Sequence, residues 1–139
     1  MTTNVVIIGD ALRLLGVVAE GQSVSAEQGS NALRALNQMM ERWTEDRIGL
    51  GYFAQSSTTD TCPIPAWAEQ GVISKLAQRL MADYPSTQPP AWVLSDSENG
   101  YGTIARKCMV ERMKPARMDH MPAGEGHTIW RSRILTDEP

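Results

Sequence analysis

Glu41 and Glu45 stand four residues apart, a spacing that puts both carboxylates on one face of a helix. Two carboxylates sharing a face are the raw material of a metal site or of acid–base hydrolysis, so a small hydrolase is the enzyme they would support. Acidic pairs of this kind are also common on solvated helix faces, and the adjacent Glu45 and Asp46 point in different directions. The other ingredients of catalysis are scattered. His120 and His127 lie in a polar C-terminal stretch that offers a general base no fixed, partly buried setting. Ser56, Ser57, Thr58 and Thr59 carry hydroxyls with no base near them in sequence. Cys62 and Cys108 are far apart and belong to no CxxC or Cys/His cluster, which argues against zinc and against a disulfide framework. Gly100 and Gly102 flank Tyr101 without the strand-to-helix context of a phosphate-cradling turn. The expectation is a protein that is not an enzyme, with no catalytic residues, no cofactor and no metal.

What remains is chemistry of contact. Residues 129–135 form an apolar island, Ile129, Trp130, Ile134 and Leu135, interleaved with Arg131 and Arg133. An extended backbone there places Trp130 and Ile134 on one side, and Trp and Arg are favoured interface anchors. The alternative is that the island folds back on its own bundle. A second feature is basic: between Ile104 and Arg117, Arg106, Lys107, Arg112, Lys114 and Arg117 face only Glu111. This segment reads either as a solvated helix face or as the footprint of a small DNA-binding regulator. The formal net charge of −3 weighs against dedicated nucleic-acid binding.

These residues need a scaffold, and the apolar pattern supplies one. With 139 residues the chain is expected to make one domain with a sizeable core. Val5, Ile8, Leu12 and Leu15 recur at helical spacing and predict a first helix over 3–18, capped by Thr2 or Thr3 and ended near Gly16 and Gly21. Ser25 and Gln28 have the spacing of a capping box and open a second helix from Ala26 to about Arg47. Its stripe is Leu33, Leu36, Met40, Trp43 and Arg47. Residues 48–65 break the pattern, and Tyr52, Phe53 and the hydroxyl run predict a long loop or short hairpin acting as a contact arm. Pro65 opens a third helix that carries Trp67, Val72, Ile73, Leu76, Leu80 and Tyr84 and ends before Pro85. A fourth spans about 91–114, interrupted at Asn99-Gly100, with Trp92, Leu94, Tyr101, Ile104 and Cys108 as apolar positions. The expected fold is all-α, a small bundle of about four helices over 1–115, with an extended C-terminal tail over 116–139. That tail is either disordered or ordered only on a partner. The longest apolar run, Val5 to Ile8, is too short to span a membrane, and the N-terminus lacks the pattern of a signal peptide. A soluble protein assembled inside the cell is expected.

The stretch ALRLLGVVAEGQSVSAEQGSNALRALNQMMERWTEDRIGLGYF resembles the portal-adaptor family of short-tailed and related phages, also called head-completion, tail accessory or packaged-DNA-stabilisation proteins. The shared features are Leu14-Leu15-Gly16-Val17 closing a first helix and Ser25-Ala26-Glu27 opening a long one. That second helix carries Ala35-Leu36-Asn37-Gln38-Met39-Met40 and Trp43. The later IPAWAEQGVISKLAQRLMADY resembles the family's third helix. The resemblance implies a virion structural protein of the head–tail neck, assembled in the host cytoplasm. Its partners would be the portal protein, other copies of itself in a twelve-fold ring, and a downstream tail or nozzle protein. Packaged DNA would pass through the lumen without sequence-specific binding, and no membrane is involved. The implied portal-binding residues are Ile129, Trp130, Arg131, Arg133, Ile134 and Leu135. Tyr52, Phe53, Arg106, Lys107 and Arg112 are the expected subunit or neck contacts.

Overall fold

The computed structural model of the chain describes residues 2–87 and 89–112, the last four by backbone alone. Its elements are α1 (Asn4–Leu14), α2 (Ala26–Glu45), α3 (Ala66–Leu80) and α4 (Ala91–Arg112). No strand occurs among the described residues. The one β-bridge, Thr3 to Thr61, is isolated. The all-α expectation holds, and the long connection after α2 is a loop rather than a hairpin.

Helix α3 is the centre of the bundle, packing on α4, α1 and α2. Ala68, Val72, Leu76, Ala77 and Leu80 are buried along it, meeting Ile7, Ile8, Ala11 and Leu12 of α1 and Leu36, Met40 and Trp43 of α2 in one core. Each large aliphatic side chain fully buried here contributes about 1.5–3 kcal/mol.

The ends of α1 differ from expectation at both sides. No threonine side chain caps it. Its first amides instead donate to the distant loop, Asn4 N–H to the Asp60 carbonyl at 3.0 Å and Val5 N–H to the Thr58 carbonyl at 2.8 Å. Val5, expected inside, is exposed together with Val6. Asn4, one position earlier, takes the buried place instead. The helix stops at Leu14 rather than Val18 because Gly16 adopts φ +73°. There Gly16 N–H donates to the Arg13 carbonyl and Val17 N–H to the Leu12 carbonyl, the paired bonds of a Schellman closure.

The expected capping box of α2 is present: Ser25 Oγ accepts from Gln28 N–H, and Gln28 Oε1 accepts from Ser25 N–H, both at 3.2 Å. The same Schellman closure ends α2, but with Arg47 at φ +65° in the glycine position. Arg47 N–H donates to the Thr44 carbonyl and Ile48 N–H to the Trp43 carbonyl. Arg47 therefore lies outside the stripe to which its spacing assigned it, and neither Gly49 nor Gly51 ends the helix. Burial of Ile48 beside this turn keeps the strained residue in place.

Pro65 is the N-cap of α3 rather than its first helical residue, and the helix ends at Leu80, a turn before the expected limit. Helix α4 runs without a break through Asn99-Gly100. The reason is contact: a Cβ on Gly100 would lie 2.7 Å from the Gly71 Cα, so the two glycines let α3 and α4 approach backbone to backbone. The inward face of α4 is Val93, Ser97, Gly100, Ile104 and Cys108, and Trp92 and Leu94 point outward.

Candidate functional site

Two surfaces stand out, and both begin at the loop over residues 48–65. The loop is held from within by two asparagines. Asn37 of α2 acts like a strand edge: its Nδ2 donates to the Gln55 carbonyl at 2.9 Å, and its Oδ1 accepts from Gln55 N–H at 3.0 Å and from the Tyr52 hydroxyl at 2.6 Å. Asn4 of α1 donates through Nδ2 to the Ser57 carbonyl at 2.9 Å. Burial raises the Tyr52 hydroxyl well above its ordinary pKa, with Cys62 adding a smaller upward push. Tyr52, half-buried, thus fastens the loop to α2 through its hydroxyl. Phe53, by contrast, is 66% exposed and stays available to a partner.

The second surface is a groove of about 570 Å³ lined by Gly49, Leu50, Pro65, Trp67, Arg106, Lys107 and Cys108. It lies where the loop, the start of α3 and the last turns of α4 meet. Trp67, expected in the core, is 45% exposed. It sits one position off the buried stripe Ala68, Val72, Leu76, a displacement of about 100° around the helix that was already readable in the spacing. The Lys107 ammonium lies 4.4 Å from its ring centroid. Arg106 and Lys107 are both exposed beside it. Trp67, Leu50 and Pro65 were not among the expected contact residues. Arg112 closes α4, and only its backbone is described. The six expected portal-binding residues between Ile129 and Leu135 lie outside the described residues, as do His120 and His127.

The polar side chains between α3 and α4 are occupied with each other. Ser74 Oγ donates to Asp96 Oδ2 at 2.7 Å. Lys75 Nζ meets Glu98 Oε1 at 2.7 Å and lies over the Tyr101 ring, and its hydrogen bond and charge hold the Glu98 carboxyl below the usual range. Tyr101 in turn tilts against Trp43, centroids 5.3 Å apart. These contacts clamp helices together. Glu41 and Glu45 are both exposed on α2. Among the described residues no group of three or more His, Cys, Asp or Glu side chains could hold a metal, and no helix is long and apolar enough to cross a membrane. The arrangement is equipped for protein contact through an apolar groove with a basic rim.

A family model described as P22 tail accessory factor covers residues 1–132, the whole bundle and most of the segment beyond it. No curated protein matches the chain.

Proposed function

Because this chain belongs to the P22 tail accessory factor family, a family of structural proteins of the phage tail, we propose that it is the head-to-tail adaptor of its virion. Copies of it assemble as a ring beneath the portal, twelve by the family resemblance. The ring extends the DNA channel, helps retain packaged DNA and offers a platform to the next tail or nozzle protein. The protein is made in the host cytoplasm and acts without turnover. The observation that carries this reading is the reach of the family match, which continues past α4 and takes in Ile129, Trp130 and Arg131. A family match that takes in Ile129, Trp130 and Arg131 supports a docking role for that stretch on the portal. The groove at Trp67 and the exposed Phe53 supply further contact surface, and a ring joins two different faces of each subunit without leaving free ends.

The test is mass and shape of the purified protein, alone and mixed with its portal, by light scattering and negative-stain imaging. Ring formation on the portal is the expected result. Failure to associate across a range of salt, together with salt-dependent retardation of duplex DNA, would replace the adaptor with a DNA-binding role for the basic segment 104–117.

A further inference from the structure

We infer that residues 49–61 form a strap that opens from the folded bundle as one unit, with Asn37 as its latch. Ile48 and Cys62, the residues on either side of it, are buried. Between them the one buried side chain is Gln55, and it is polar. Leu50, Tyr52, Ser57 and Thr58 are half-buried, and the rest of the strap is exposed. What holds it is therefore mostly hydrogen bonding. Tyr52 and Gln55 bond to Asn37, and the Ser57 carbonyl accepts from Asn4 Nδ2. The carbonyls of Thr58 and Asp60 accept from the first amides of α1.

Opening trades these bonds for bonds to water, at a small net cost for each. Drawing a helix out of the core exposes apolar surface instead, at a cost that grows with its area. The closed strap also leaves Asn4 Oδ1 buried with no hydrogen-bond partner among the described residues, a penalty that opening relieves. The strap is thus the part of the bundle with least to lose by opening. It is also part of the contact surface. Gly49 and Leu50 line the groove at Trp67, and the exposed Phe53 rides on the same stretch. Opening takes apart one wall of the groove, and a partner bound there holds the strap shut. Asn37 governs that surface from beneath it.

The experiment is native-state amide exchange on the isolated full chain at rising, sub-denaturing urea, so its outcome is independent of the adaptor reading. In the wild type the Gln55, Asn4 and Val5 amides should share one opening equilibrium of weak urea dependence. They should exchange on the order of a hundredfold faster than the Leu76 amide of α3, which opens only with the core. Asn37→Ala should speed all three by about tenfold, as the loss of a hydrogen bond predicts, and leave Leu76 tied to global unfolding. The two α1 amides decide the matter, because the hydrogen bonds of Asn37 go to Tyr52 and Gln55 and not to α1. No acceleration, or acceleration of Gln55 alone, would overturn the inference. So would wild-type exchange of all three with the urea dependence of global unfolding, a result that stands even if the variant does not fold.

Discussion

Arg47 holds the left-handed position that closes α2, where a glycine would be at ease. A side chain there costs about 1–2 kcal/mol, partly offset by glycine's greater freedom in the unfolded chain. Arg47→Gly should therefore stabilise the protein by about 0.5–1 kcal/mol, read as a rise in the urea midpoint at unchanged slope. A fall would mean that the guanidinium makes a compensating contact. Trp130 belongs to the same scale through a different mechanism. As a portal anchor, its truncation to Ala should weaken portal docking by more than about 1 kcal/mol and leave the melting temperature of the free protein nearly unchanged. A large loss of melting temperature would place Trp130 in the core instead. Cys62 offers a third residue-level test. Burial, with the Glu69 carboxylate as a smaller contributor, pushes its thiol from 9.0 up to about 11. The native state thus keeps a proton that the unfolded chain releases first, so this contribution is whole below pH 9.0 and is lost as pH rises toward about 11. The loss should be on the order of 2–3 kcal/mol, added to by Tyr52, which shifts the same way. Cys62→Ala should flatten the alkaline limb of a stability–pH curve, and an unchanged slope would show the thiol to be irrelevant.

At the level of elements, the junction of α3 and α4 rests on the Gly71–Gly100 approach. An alanine at Gly100 meets backbone 2.7 Å away, whereas one at Gly71 first meets the tip of Ile104 at 2.8 Å and backbone only at 3.2 Å. Flexible tips yield and backbones do not. Gly100→Ala should therefore cost about 1–3 kcal/mol, the range for overpacking, and Gly71→Ala less, measured by denaturant unfolding. The reverse order would mean that the helices separate more readily than their packing suggests. This junction also shows what sequence reading could and could not see. The capping box of α2 and its stripe are local signals, and both were legible. Asn99-Gly100 read as an interruption because a glycine that breaks a helix and one that admits a neighbouring helix look the same until the neighbour is known. Helix α1 was shifted for a similar reason: the loop carbonyls that replace a threonine cap come from more than fifty positions away, so spacing within α1 could not reveal them.

For the molecule as a whole, the fold class and helix count followed from periodicity, and the family followed from motif spacing. The contact surface was only half legible. Arg106 and Lys107 were visible as a basic pair, but their groove needs Leu50 and Pro65 from another part of the chain and Trp67 turned outward. The anchoring of the loop was not visible either, because the ties from Tyr52 and Gln55 to Asn37 span fifteen positions or more.

The stitching of residues 2–5 to residues 58–62 also sets an order of events during synthesis. Helix α1 leaves the ribosome before the loop it is stitched to, so its opening amides wait for the carbonyls of Thr58 and Asp60, and the Thr2 carbonyl waits for the Cys62 amide. Its buried face waits longer still, for α3 at Ala66–Leu80. Contacts so distant in sequence form late, after a long loop has closed. Helix α1 is thus made before the contacts that complete it, and a nascent chain cut short before residue 80 would carry that helix unsheltered.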